Sequence, residues 1–249
     1  MIELPNRIES FCTMQHFCQA IFPNDLLAAS CNDYTVLGDR TILAFRNDTV
    51  TEFNHELISQ FPGQVHYFDA VNSADINNSI SETEELSMEY LQSIKHPSLP
   101  PLKLILKLDA QVMLLQNINP RERLCISTRM TIIQLSRTCI GVPILSGDFD
   151  GHCKLLPRIV LSTNEGELLF NLKRKQFPIR LCYAMTVNTS QGQSFKMVGI
   201  DLRKLAFCHS QLDVALSRVT SLNGLKVLLA PRASLKTDIV VYPEVLLST

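Results

Sequence analysis

Leu181-Cys182-Tyr183-Ala184-Met185-Thr186 is a near-continuous apolar run, and it gives way at once to Val187-Asn188-Thr189-Ser190-Gln191-Gly192-Gln193, a loop rich in hydroxyl and amide side chains. A run that is apolar at almost every position, rather than at alternate ones, predicts a strand buried on both faces, as in a parallel sheet between helices. Similar runs occur upstream at Thr41–Phe45 and downstream at Val198–Leu202 and Leu225–Leu229. After Phe45 the period changes. Asn47 or Asp48 can cap a helix, Val50, Phe53, Leu57 and Ile58 share one face of it, and Pro62-Gly63 closes it. The expected frame is an α/β layer with polar groups just past a strand's carboxyl end, where open sheets bind ligands.

From Leu102 to about Lys173 the texture differs. Short apolar runs at 103–108, 111–115, 130–135, 140–145, 158–161 and 168–172 are separated by turn residues, which predicts a small β-barrel. Residues 72–87 are polar and acidic with little periodicity and read as a mobile excursion. The predicted organisation is a leading segment over 1–38, an α/β layer over 39–101 and 174–249, and an inserted β module over 102–173.

Bulk properties narrow the class. With 46% hydrophobic and 19% charged residues, the chain has the composition of a soluble globular protein rather than a membrane or disordered one. It has no run of 18 apolar residues and no basic-then-apolar leader, so the expectation is no membrane and a place inside the cell. The eight cysteines form no Cys-x-x-Cys pair and have no histidine at ligand spacing, so no metal site and no disulfide framework is predicted. The net charge of -1 hides an asymmetry: residues 1–100 hold 4 basic against 14 acidic groups, and the remainder 19 against 10. A nucleic acid is expected to lie against the second part.

Three stretches carry candidate chemistry. Ser210 with Asp213 has the spacing of a capping box, Leu212, Ala215, Leu216 and Val219 share a stripe, and Arg218 falls off that stripe at the helix end. A planar five-donor cation suits a γ-phosphate, and it equally suits a helix C-terminus. In the quoted loop, Thr186, Asn188, Thr189, Ser190 and Gln191 can donate to phosphate oxygens without reading bases, and Gly192 permits close backbone approach. The same residues also make ordinary turns. Lys173-Arg174-Lys175-Gln176-Phe177-Pro178-Ile179-Arg180 sets four cations around one aromatic, which fits a nucleic-acid strand or a solvated junction. No G-x-x-x-x-G-K-[ST] phosphate loop occurs in the 249 residues, so no segment is expected to wrap a triphosphate.

Taken in order, Thr41–Asn47, Leu99–Leu104, Ala110–Leu115, Arg174–Pro178, Ala184–Gln193 and Gln211–Leu228 resemble the PIF-type (petite integration frequency) DNA helicases, especially the helicase end of Helitron transposons. The resemblance implies the C-terminal portion of a 5′ to 3′ ATP-dependent DNA helicase. Its parts would be a second RecA-like motor domain, a parallel sheet flanked by helices, with an inserted small β-barrel. It makes Arg218 the arginine finger, reaching ATP and Mg²⁺ held by a first RecA-like motor domain. Gln191, Gly192 and Gln193 would lie at the nucleotide edge, and Thr186, Asn188 and Ser190 on single-stranded DNA. Arg46 and Asn47 would add a phosphate contact, and Lys173, Arg174 and Lys175 a basic one. Nuclear residence, roles in DNA repair and recombination, and inactivity of this chain alone as an ATPase are further expectations. The alternative is a non-catalytic single-strand-binding module or a decayed transposon remnant. Departures support that alternative: Thr189 stands where the family commonly has lysine, and Asp109, Ser127 and Ser210 stand where it usually has glycine.

Overall fold

A computed structural model of the chain describes residues 2–3, 5, 7–31, 33, 35–75, 87–94, 96, 98–145, 151–163, 166–168, 170–204, 206, 208, 210–231 and 236–237. It falls into two compact units: Met1–Pro62 with Cys182–Thr249, and Gly63–Leu181. The divisions differ from those expected. The leading segment groups with the α/β layer because it contributes a strand to the sheet, and residues 63–101 and 174–181 group with the insert because they pair with its strands.

In chain order the first stretch holds β1 (Ile2–Glu3), β2 (Glu9–Phe11), α1 (Met14–Ile21), α2 (Asn24–Ala29), β3 (Arg40–Ala44) and α3 (Asn47–Gln60). The insert holds β4 (His66–Asp69), β5 (Val71–Asp75), α4 (Met88–Ser93), β6 (Lys103–Leu106), β7 (Gln111–Leu114), β8 (Arg129–Thr131) and β9 (Gln134–Leu135). It continues with β10 (Cys139–Pro143), β11 (Cys153–Pro157), β12 (Ile159–Ser162), β13 (Asn171–Gln176) and β14 (Ile179–Leu181). The chain returns as β15 (Ala184–Thr186), β16 (Met197–Asp201), α5 (Gln211–Leu216), β17 (Leu225–Leu228) and β18 (Lys236–Thr237).

The first unit is built on a five-stranded, wholly parallel sheet in the order β15-β3-β16-β17-β2. Its central strands are buried at nearly every position, as a sheet covered on both faces requires. Val50, Phe53, Leu57 and Ile58 of α3 are all buried, on the expected face. Gly199 in β16 lies beneath α1, where a Cβ would sit 2.5 Å from the Phe17 ring. Among the described residues strand β15 has no strand neighbour on its outer side, and a side chain takes the place of one. Asn54 Nδ2 donates to the Ala184 carbonyl and the Ala184 N–H donates to Asn54 Oδ1, both at 2.9 Å, so the amide satisfies the edge as another backbone would. The rings of Phe61, after α3, and Tyr183, before β15, lie 5.9 Å apart.

Several expectations are corrected here. The run Leu181–Thr186 is two strands: β14 ends antiparallel to β7 in the insert, and β15 begins parallel to β3 in the sheet. Ser210 takes the N-cap position of α5 with φ 56° and makes no side-chain cap bond, so the capping box does not form; the Cys208 N–H donates instead to Gln211 Oε1. Arg46, not Asn47 or Asp48, is the residue flanking α3 at its start. Residues 72–75 belong to β5, whose partner is β13; residues 76–86 lie outside the described residues.

The insert is antiparallel throughout. It comprises the sheets β11-β10-β9, β12-β13-β5 and β14-β7-β8 and the ladder β4-β6, and among the described residues these pairings do not close into a ring. Leu91, Leu99, Leu161, Phe170 and Leu172 form one core beneath β13. The charge asymmetry does not map onto the units. The sheet unit carries 10 basic and 12 acidic residues and the insert 13 and 12, so neither is a basic body as a whole.

Candidate functional site

Because all five strands run the same way, Ala44, Thr186 and Asp201 end on one edge of the sheet, with Thr186 in register with Ala44. The loop after β15 folds tightly on itself. The hydroxyls of Thr186 and Thr189 lie 2.8 Å apart, the Ser190 N–H donates to the Thr186 carbonyl (3.1 Å), and the Gln193 N–H donates to that of Ser190 (3.0 Å). Gly192 adopts φ 77°, a left-handed conformation that suits glycine, and its Cα faces open space. Asn188, Gln191 and Gly192 are exposed, Thr186 and Gln193 half-buried. Ser190 is a correction: it is fully buried, and its hydroxyl donates to the Val187 carbonyl at 2.7 Å, so it turns the loop and offers nothing outward.

Arg218 lies two residues past α5 and reaches back to this loop. Its NH1 group donates to the Gln193 carbonyl (3.0 Å), Nε to the Val214 carbonyl (3.1 Å) and NH2 to Ser217 Oγ (2.9 Å). Backbone bonds reinforce the junction, from Phe195 N–H to the Arg218 carbonyl (2.8 Å) and from Thr220 N–H to the Phe195 carbonyl (3.0 Å). The two polar motifs are therefore one structural piece. The acceptors of the guanidinium among the described residues are all uncharged, and the group is half-buried rather than enclosed.

On the same edge, Arg46 and Asn47 are exposed at the start of α3, and the exposed Lys204–Asp48 pair (3.1 Å) ties the segment after β16 to that helix. Asp201 is buried at the end of β16. Arg203 grips it with Nε on Oδ1 and NH2 on Oδ2, each at 2.9 Å, and these bonds push the guanidinium pKa up despite partial burial. Asn54 and Phe195, which shape the loop, escape a reading based on polar motifs. Asn54 had one visible signal, an amide set among the apolar residues of the α3 face.

Lys173, Arg174 and Lys175 belong to the insert, not to this edge. Lys175 is exposed and Lys173 half-buried, but Arg174 is only 2% exposed. It donates to Asn72 Oδ1 (2.9 Å), the Pro100 carbonyl (2.8 Å) and the Ile94 carbonyl (2.9 Å), and desolvation lowers its pKa. Contrary to expectation, Arg174 faces the core of the insert and not a nucleic acid. Strand alternation forces the middle of three consecutive residues to the opposite face, and here that face is the core.

A parallel α/β sheet with polar loops at its carboxyl edge places them where open sheets bind ligands, and the fold is shared with a solved structure: a Bacteroides Pif1 bound to single-stranded DNA superposes with a TM-score of 0.59 at 20% identity, over 83% of this chain and 43% of that one. By sequence, residues 89–135 match the family described as DNA helicase Pif1, 2B domain. The human ATP-dependent DNA helicase PIF1 is 30% identical over 190 residues, 76% of this chain and 27% of that protein. The Bdellovibrio bacteriovorus ATP-dependent DNA helicase Pif1 is 31% identical over 215 residues, 80% of this chain and 46% of that protein. By sequence the chain resembles part of the Pif1-type DNA helicases, and it spans about a quarter to a half of the length of these relatives. Among the described residues no helix is long and apolar enough to cross a membrane.

Proposed function

We propose that the chain supplies one half of a composite ATP site in a 5′ to 3′ DNA helicase, with the parallel unit as a second RecA-like motor domain. The antiparallel unit is its inserted small barrel-like module. Arg218 acts as the arginine finger, Gln191, Gly192 and Gln193 border the nucleotide, and Thr186, Asn188, Arg46 and Asn47 contact single-stranded DNA, with Lys173 and Lys175 adding charge from the insert. ATP and Mg²⁺ are held by a first motor domain carrying a phosphate loop, covalently or in trans, and the work is done in the nucleus on DNA under repair or recombination.

The observation that carries this reading is the bond from Arg218 to the Gln193 carbonyl, which joins the arginine to the candidate DNA loop with no intervening side chain. A guanidinium bonded only to neutral acceptors keeps its full charge to offer to a polyanion, and bidentate donation to a transferring phosphoryl group is what it does best. The chain's residues position and stabilise; in-line attack on the γ-phosphate needs the metal and base of the opposing domain.

Phosphate release is the test. Incubated with ATP, Mg²⁺ and oligo-deoxythymidylate, the chain alone should release none; joined to a first motor domain of a Pif1-type relative it should turn over. Arg218→Ala should then lower kcat by about 10³-fold or more. Turnover by the isolated chain, or an Arg218→Ala hybrid as fast as its parent, overturns the proposal. The competing non-catalytic module is favoured by the engagement of three guanidinium nitrogens within its own unit, and it predicts single-strand binding with no stimulation by any first domain.

A further inference from the structure

In the insert, β11 is an edge strand: β10 pairs with it on one side, and among the described residues no strand lies on the other. The Gly141 carbonyl accepts from the Ile133 N–H (2.9 Å) on the β9 side, so Gly141 and Leu155, its partner in β11, exchange no bonds. The N–H and C=O of Leu155 therefore point away from β10, and by alternation so do those of Cys153 and the carbonyl of Pro157. None of these groups meets a partner among the described residues. The side chains of Cys153, Leu155 and Pro157 share one face with Pro143, Gly141 and Cys139 opposite, and none of the six carries a carboxylate, ammonium or guanidinium. Lys154 turns to the other face and pairs with Glu122 at 3.2 Å. Leu155 is 65% exposed beside Gly141, which has no side chain to cover it, and Ile133, 44% exposed, borders the same notch.

We propose that β11 pairs antiparallel with β11 of a second copy of this chain, about a two-fold axis at Leu155, so that two three-stranded sheets join into one. Such a contact sets Leu155 against its own copy and Cys153 against Pro157 of the other chain. About four hydrogen bonds follow: two between the leucine backbones, and one from each Cys153 N–H to a Pro157 carbonyl. Charge selects the occupant. A foreign strand is chosen by countercharges or pockets, whereas a face without charged groups meets its own copy without repulsion, and Lys154 is neutralised within each chain by Glu122. Strand β15 closes its open side with Asn54; β11 has no such cap and no outward charge to blunt its edge. Five residues span about 17 Å, so the contact buries less than the roughly 800 Å² per partner of a standard interface, and Kd is on the order of 0.1 mM. The contact draws on none of the residues assigned to ATP or DNA.

Sedimentation velocity of the whole chain, freed of nucleic acid so that no strand bridges two copies, tests it. The weight-average coefficient should rise towards that of a dimer as concentration passes Kd. Leu155→Lys and Leu155→Glu should each raise Kd about tenfold or more, because like charges then meet at the axis. An equimolar mixture of the two should associate again, since opposite charges now face each other. Leu155→Thr, which suits a strand and adds no charge, should weaken association severalfold. All three should melt like the parent, the side chain being mostly exposed; if the charged chains fail to fold, the threonine variant decides. A parent chain that stays monomeric throughout overturns the proposal, as do a Leu155→Lys chain that dimerises like its parent and a mixture that gains nothing over its components.

Discussion

Asp109, Ser127 and Ser210 adopt φ of 64°, 66° and 56°, the left-handed conformation that glycine occupies without steric penalty. These are the three positions at which the resemblance led one to look for glycine, so the turn demanded by the fold was legible even where the residue had changed. Ser127→Gly and Ser210→Gly should each raise stability by up to about 1 kcal/mol, seen as a higher melting temperature; an unchanged or lower melting temperature would mean that the turns carry no strain. Arg174 and Ser190 were misread for a related reason. Polarity marks a residue as able to meet a phosphate, but only the pairing parity of β13 and the return of the Ser190 hydroxyl to Val187 decide which way it points. The alternation of Leu172, Arg174 and Gln176 against Lys173 and Lys175 was the available signal for Arg174. Among the thiols, burial pushes the Cys18 pKa up to about 12, aided by nearby Glu56. The unfolded thiol ionises near pH 9 while the folded one cannot, so this group's contribution to stability falls as pH rises from 9 towards 12. At pH 8, maleimide should label exposed Cys12 and Cys153 and spare Cys18, as peptide mapping would reveal.

At the scale of elements, the parallel strands were readable because doubly buried strands are apolar at successive positions, and α3 because its apolar residues recur at helical spacing. What could not be read was how edges are finished. Strand β15 is held on its open side by Asn54, and Asn54→Ala would strand a buried N–H and carbonyl at Ala184. A loss of about 2 kcal/mol in urea unfolding is expected; a loss within error would show that water replaces the amide freely. The turn before β17 is tighter still, since a Cβ on Gly224 would lie 1.9 Å from the Lys196 carbonyl oxygen. Gly224→Ala should destabilise the protein by about 3 kcal/mol, measured in the same way. Strand β2 escaped notice because three residues at a sheet edge, mostly exposed, carry no periodic signature.

For the whole molecule, charge counted along the sequence proved a poor guide, because each folded unit gathers segments from both the acidic and the basic stretches and ends near neutrality. Binding of a polyanion then rests on local rows of cations rather than on the field of a whole unit. Sheet formation must also join residues far apart in the chain: Thr41 Oγ1 and the Tyr183 carbonyl, 142 positions apart, lie 3.4 Å from one another. The ring contact of Phe61 with Tyr183 shows that the points where the chain leaves the sheet unit and rejoins it are neighbours. A splice at that spot, with a few flexible residues joining Pro62 to Cys182, would excise the entire cassette without stretching the scaffold, and cassettes of other sizes could be grafted there by recombination while the parallel platform keeps its form.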